Sequence, residues 1–360
     1  MCRSIFNDFL KNQGDEYILK QYINDIARSR LLSALMLLGM CSPAALAYGP
    51  GEVFIANYLD NSVTVYSRTA SGTVVPRRVI RQGLSRPFGI HVDPLHAEIF
   101  VANNDTGGRV GSIQVYDLNA NVPNDAPKRT IAGSATGLFA CTGMGLDLYR
   151  QELYVTNDDT STIAVFSRTA NGNVAPLRTI AGPDTALAGP NSVFVDLLHD
   201  EIVVMNKIYY GGGTGRITVY PRASNGDVSP IRTIEGALPG FNLPVGMDVD
   251  LLHDEIAVAN AFGNNVLVFR RTDNGDVAPT RTINGPSTGL CTPFGVVVDL
   301  LNNELVVANS GFQSGGCMQG TTVYTRTASG DATPKRSIVM GPAGGPPAPV
   351  TLAETLLSAQ

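Results

Sequence analysis

The segment Val53-Phe54-Ile55-Ala56-Asn57 returns five times along the chain, in variants that end at Asn103, Asn157, Asn206, Asn260 and Asn309. The intervals between those asparagines are 46, 54, 49, 54 and 49 residues. A repeat period near 50 residues constrains the fold more than any other feature of a chain this long. Three further segments keep step with it. One like Val63-Thr64-Val65-Tyr66 follows each asparagine, and one like Arg178-Thr179-Ile180 follows that. The fourth is like Gly295-Val296-Val297-Val298-Asp299, and its copies end at Asp93, Asp147, Asp196, Asp250 and Asp299. Each segment is rich in Val, Ile, Thr, Tyr and Phe and is bounded by Gly, Pro and Asn, so each reads as a strand. Six repeats of four strands predict an all-β, six-bladed β-propeller with four antiparallel strands per blade.

Counting predicts how the ring closes. Twelve residues separate the isoleucine of the third segment from the start of the fourth at Ile131, Ile180, Ile234 and Ile283. Twelve residues beyond Ile338 lies Val350, so Val350-Thr351-Leu352-Ala353-Glu354 should take the place that the N-terminal repeat lacks. The tail strand then joins the head sheet and leaves no free edge. Strands are named A (ending in Asp), B (ending in Asn), C and D from the axis outward. The A–B and C–D turns share one face, and the B–C and D–A loops share the other. The C–D connections carry Ser71-Gly72, Asn171-Gly172, Asn225-Gly226, Asn274-Gly275 and Ser329-Gly330, which read as tight hairpin dipeptides; blade 2 has Asn119-Ala120-Asn121 instead.

Ahead of the repeats, Arg28 and Arg30 precede an apolar run from Leu31 to Met40 and then Ala45-Leu46-Ala47. That order is a signal peptide, with cleavage expected after Ala47. The run is too short to span a bilayer, so no membrane span is expected in the mature chain. The expected division is 1–47 as extension plus signal peptide and 48–360 as one propeller domain, exported to the periplasm or the extracellular space. The polar residues 1–27 fit a true start codon further downstream, and Cys41 raises lipid anchoring as an open alternative. The net charge of −5, with Lys and Arg scattered singly, gives no basic face for nucleic acid. Trp is absent, which excludes a WD-type blade signature.

Each candidate site admits a functional role and a plain structural one. Asn57, Asn103, Asn157, Asn206, Asn260 and Asn309 end strand B on the loop face. They read either as a ring of amides for a metal or polyol or, better, as caps on the loops that follow. The repeated Asp of strand A and the Glu before strand B read as backbone caps, and the Arg that starts each strand D as an exposed residue keeping the outer edge soluble. The B–C connections are long and Gly-rich in blades 2, 4 and 6, around Asp105-Thr106-Gly107-Gly108, Tyr209-Tyr210-Gly211 and Phe312-Gln313-Ser314. They read as a binding crown with Tyr209, Tyr210 and Phe312, or as relics of a two-blade duplication. His91 and Asp248 share one register of strand A in opposite blades. They read as acid–base or metal groups at the channel, or as hydrogen-bonded structural residues. Cys291 and Cys317 lie in loops on one face of blade 6 and are expected to form a disulfide, leaving Cys141 as a small buried hydrophobe. No zinc spacing, nucleophile elbow, P-loop or dinucleotide fingerprint is present.

Tyr154-Val155-Thr156-Asn157 is the tetrapeptide that names the YVTN repeat, and Pro293-Phe294-Gly295 through Leu305-Val306-Val307-Ala308-Asn309 looks like an NHL-type repeat. Over 51–354 the chain resembles the NHL/YVTN-type propellers. That resemblance implies the fold and a broad range of roles: extracellular binding, lactone hydrolysis, lyase chemistry and protein assembly. The expected function is an exported, monomeric scaffold that binds a protein, glycan or small ligand on the loop face, with no catalysis and no cofactor. The alternative implied by the resemblance is a Ca²⁺-dependent, gluconolactonase-like hydrolase or lyase acting on a lactone-like substrate at the channel mouth. His91, Asp248 and the acidic Asn157-Asp158-Asp159 would serve it.

Overall fold

The computed structural model describes residues 51–104, 110–208, 215–311, 319–340 and 350–354. They form six antiparallel sheets of four main strands. In blade 3 the strands are Cys141–Asp147, Glu152–Asn157, Thr162–Ser167 and Arg178–Ile180. In blade 1 the innermost strand is Val350–Glu354, antiparallel to Glu52–Asn57 with Ala56 opposite Thr351. The six A strands touch in sequence round the axis and return to their start, so the tail closes the ring. Strand A begins two residues earlier than its sequence motif, at Pro87 in blade 2 and Pro293 in blade 6, and carries a bulge near that end. No helix among the described residues is long and apolar enough to cross a membrane. The expected leader and cleavage site lie outside the described residues.

Strand residues alternate between the two faces of a blade, and both faces are apolar. The cores therefore lie between blades. Phe100, Ile113 and Val115 of blade 2 pack with Leu146, Leu153 and Phe166 of blade 3, and blades 4 and 5 join in the same way through Val203, Ile217, Met247 and Phe269. A single blade has nothing to bury against, which makes each blade depend on its neighbours.

The Asn-Gly dipeptides are not hairpin turns. The glycines do take left-handed φ, +78° at Gly172 and +84° at Gly275, but the asparagines do not. Each C–D connection instead runs beside the D strand of the preceding blade. Gly172 N–H donates to the Thr130 carbonyl at 2.6 Å, and the Asn171 side chain accepts from Thr130 N–H at 3.2 Å. In blade 1 this segment is a short parallel strand, Gly72–Val74, on the outer edge of blade 6. Two residues past the Asn, Asp227 accepts a hydrogen bond from Asp184 N–H at 2.8 Å in the preceding blade. Gly182 makes room for it: its φ is +132°, and a Cβ there would stand 2.2 Å from the Asp227 carboxyl carbon. The sheet edges are thus covered by neighbouring chain.

The strand-D arginines are likewise not edge solubilisers. Arg129 is turned inward and grips Glu98 with two hydrogen bonds, 2.6 and 2.9 Å, while donating to the Arg168 carbonyl of blade 3 at 3.2 Å. Arg168 reaches back to Glu98 at 2.8 Å and to Asp93 at 3.4 Å. The same strap recurs as Arg222 on Asp147, Arg271 on Asp196, Arg326 on Asp250 and Arg68 on Asp299. Blade 2 has Leu118 in that place; its junction with blade 1 relies on Asn121, which accepts from Val79 N–H at 2.9 Å. Burial would raise the Glu98 carboxyl, but Arg129 and Lys128 override it and hold it down to about 2. The strand-A aspartates do cap backbone, Asp147 accepting from Arg150 N–H at 2.7 Å.

Removing one partner of a buried ion pair strands the other charge. Arg168→Ala is expected to cost about 3 kcal/mol in chemical denaturation. Arg81→Ala, which breaks an exposed pair with Asp60, should cost less than about 1 kcal/mol. Equal costs would contradict the strap.

Candidate binding face and axial channel

The loop face is built from the residues that follow each strand-B asparagine and from the D–A loops. The six asparagines themselves are buried, none above 6% exposed. In blades 2 to 6 their amides hold the D–A loop of their own blade. Asn157 accepts from Phe139 N–H at 3.0 Å, Asn206 from Ala188 N–H at 3.0 Å and Asn309 from Cys291 N–H at 2.9 Å. The amide nitrogens donate to strand C, Asn57 to Thr64 at 3.0 Å and Asn103 to Ser112 at 3.0 Å. Asn260 accepts from Asn242 N–H at 2.6 Å. The structure thus places all six in the scaffold beneath the loops. Tyr209, Tyr210, Phe312 and Cys317 lie outside the described residues, as do 105–109. Cys291 is disulfide-bonded and buried. Cys141 is a free, fully buried thiol that burial pushes up to about 12, which makes it inert at neutral pH.

His91 and Asp248 lie on the innermost strands, at the register that holds Gly145, Phe194 and Val297 in other blades. Asp248 accepts two backbone hydrogen bonds, from Val249 N–H at 2.9 Å and from Val298 N–H of blade 6 at 2.8 Å. Burial outweighs those donors and raises its carboxyl to about 7. Burial also pushes the His91 imidazole down to about 4, against a weaker upward pull from Asp93. At neutral pH the His91 imidazole is therefore neutral, while the Asp248 carboxyl titrates well above the ordinary carboxylate range. Among the described residues no group of three or more His, Cys, Asp or Glu is placed to hold a metal ion.

At the loop-face mouth the six-fold pattern breaks into two halves. On one side Phe88 of blade 2 packs with Val245 and Ala261 of blade 5, and Tyr58, Leu243 and Phe294 complete the cluster. Tyr58 meets Phe88 edge-on, with ring centroids 6.2 Å apart. On the other side, blades 3 and 4 are polar. The Thr142 and Thr156 hydroxyls lie 2.9 Å apart, and Thr142 donates to the Pro190 carbonyl at 2.9 Å. Asn191, at the same register as Phe88 and Thr142, is 3% exposed, and neither atom of its amide has a partner. Lys207 and Asp158 form a buried ion pair between blades 4 and 3, so this acidic loop carries its own counter-charge. Phe262 and Leu59 stand exposed on the same face.

Sequence reasoning passed over Phe88, Asn191 and Lys207. The signal was available in variation at a fixed register: Phe88, Thr142, Asn191, Val245 and Phe294 share one position, and Tyr58, Asn104, Asp158, Lys207, Ala261 and Ser310 share another.

The two channel groups should report opposite pH dependences. Folded Asp248 binds more protons than the unfolded group from pH 4 to 7, so its contribution falls as pH rises. Folded His91 binds fewer between pH 4 and 6.5, so its contribution is lost as pH falls. Relative to the native chain, Asp248→Asn should therefore gain stability with rising pH across pH 4–7. His91→Gln should lose it across pH 4–6.5. Denaturation at stepped pH reads both; parallel slopes would mean that the groups are solvated.

No family model matches the chain, and no curated protein matches it. Among solved structures, it is similar to a chain in the crystal structure of a nidogen/laminin complex, at 12% identity and a TM-score of 0.56. The match covers 84% of this chain and 98% of that one, which is also a six-bladed propeller. A likeness at that identity establishes the architecture: this chain is a six-bladed β-propeller.

Proposed function

We propose that this protein is an exported propeller of the NHL/YVTN type that works as a non-catalytic binding scaffold and docks its partner on the loop face. The observation that carries this reading is how unevenly the polar residues are used. On the turn face the repeated Asp, Glu and Arg side chains are spent on one another and on backbone. On the loop face the repeat breaks down, and an apolar cluster round Phe88 adjoins the polar Thr142, Asn191 and Lys207. Phe262 and Leu59 stand in the short loops beside them. Variable loops on a rigid frame are where binding residues collect, and exposed Leu59 and Phe262, beside the partly exposed Tyr58, Leu243 and Phe294, give that face apolar anchors of the kind a partner covers. The leader-like stretch from Arg28 to Ala47 supports export.

The alternative, a Ca²⁺-dependent hydrolase acting at the channel, needs six to eight oxygen ligands. His91 and Asp248 are two groups on opposite blades, and Asp158 is already paired.

One comparison separates the readings. Arrays of glycans and of peptides from exported proteins are probed with the native chain and two variants. Binding should fall at least tenfold in Leu59→Ser/Phe262→Ser and persist in the turn-face variant Leu95→Ser. Millimolar Ca²⁺ should leave the melting temperature unchanged. Lactone hydrolysis that requires Ca²⁺ and is abolished by Asp248→Asn would replace the scaffold reading with the enzymatic one.

A further inference from the structure

The A–B turns share one backbone. Each strand-A aspartate accepts a hydrogen bond from the N–H three residues on, as Asp93 does from His96 at 3.1 Å and Asp299 from Asn302 at 2.9 Å. The next residue is left-handed, with φ between +54° and +59° at Ala97, Gln151, Asp200, Asp254 and Asn303. Inside this fixed turn the two residues after the Asp diverge. The first packs inward: Leu148, Leu197 and Leu300 join the cores between blades. The second is large and apolar in all five described turns, at Leu95, Tyr149, Leu198, Leu252 and Leu301. Leu95 and Tyr149 are 61% exposed and Leu301 is 49% exposed, so core packing does not account for them. Leu198 and Leu252 are half-buried.

Turn tips ordinarily take Asn, Asp, Ser or Gly. The outer C–D connections on this same face do so, at Ser71, Asn171, Asn225, Asn274 and Ser329. Strand A is innermost and the A strands touch in sequence, so the five apolar tips stand round the axis at one level. The exposed acids beside them, Asp200 and Asp254, are held by Arg222 and Arg271, and Arg150 lies 3.6 Å from Asp200. An apolar crown of this kind marks a contact with another surface. A protein partner is read by distinct anchors in pockets. A lipid headgroup layer needs only apolar tips at one level, and Tyr is suited to that interface. The described propeller also begins on this face, since Gly51 leads into the first strand B, Glu52–Asn57, at its turn-face end. The apolar run from Leu31 to Met40 and Cys41 lie upstream in the chain and are joined to the propeller through Gly51.

We propose that the turn face seats the propeller on a membrane surface, with Leu95, Tyr149 and Leu301 entering the headgroup layer and Leu198 and Leu252 completing the contact. Apolar insertion rather than charge supplies the affinity, because Asp200 and Asp254 already have counter-charges. A few apolar tips make a reversible anchor, and a second attachment upstream of Gly51 would make it lasting. The loop face then points away from the bilayer, and the contact is independent of the partner docking proposed there.

The chain lacks Trp, so a Trp introduced at one tip reports that tip alone. The full chain carrying Tyr149→Trp or Leu301→Trp is mixed with vesicles of phosphatidylcholine and phosphatidylglycerol whose acyl chains are brominated. Emission from both tips should shift to the blue and be quenched by about half or more, in low and in high salt alike. Phe262→Trp, on the loop face, should show neither change. Adding Leu95→Ser/Leu301→Ser to the Tyr149→Trp chain should weaken vesicle binding about tenfold, and adding Leu59→Ser/Phe262→Ser should leave it unchanged. The proposal is overturned if neither tip is quenched, if Phe262→Trp is quenched as strongly, or if high salt abolishes the quenching. It is also overturned if Leu95→Ser/Leu301→Ser leaves binding unchanged, which would assign the binding to the stretch upstream of Gly51. Dimers that form without vesicles and are dissolved by Leu95→Ser/Leu301→Ser would assign the crown to a second copy of the chain instead.

Discussion

A four-stranded blade of this chain is apolar on both faces, so it is stable only between two others. That single constraint organises the rest. The cores sit at the junctions, where Phe100 of blade 2 meets Phe166 of blade 3 and Ile217 of blade 4 meets Phe269 of blade 5. The sequence of junctions must return to its start, and it does so through the tail strand Val350–Glu354 on Glu52–Asn57.

Polar chemistry on the turn face follows the same logic. A carboxylate buried at a junction needs a counter-charge, and Glu98 receives one from its own blade, Arg129, and one from the next, Arg168. Such pairs are weak evidence for added stability, because desolvation offsets their attraction. Their effect is orientation. Each of these arginines bridges two sheets, and the carbonyl that Arg129 also grips belongs to the neighbouring blade. The junction between blades 1 and 2 shows what is lost without the strap. With Leu118 in the arginine position, Asn121 and Asp125 make the contacts to Val79 and Arg81.

The architecture was legible in the sequence because strand patterning and period are local and repeated six times. Even the closing strand followed from counting residues past Ile338. The inter-blade contacts were not legible. Arg168 lies 70 residues from Glu98, and no local spacing links them. Asn171-Gly172 has the composition of a hairpin, and only the neighbouring D strand reveals that it is an edge cover. At the mouth, alignment by repeat drew attention to what recurs, such as Asn157, when the asymmetric chemistry resides in what does not, such as Phe88, Asn191 and Lys207. His91 and Asp248 were found by that second habit. The structure shows Asp248 bound to two backbone N–H groups and His91 held neutral by burial.

Closure by the tail is tested most directly by a covalent link across it. Ala56 and Thr351 are opposed in the first blade, so an Ala56→Cys/Thr351→Cys chain should form that disulfide on oxidation, identified by peptide mapping. Its oxidised form should unfold at a higher temperature than its reduced form, because the link prevents the ring from opening at its one seam. Failure of the two thiols to join, or a lower melting temperature once they have joined, would contradict a ring closed by residues 350–354.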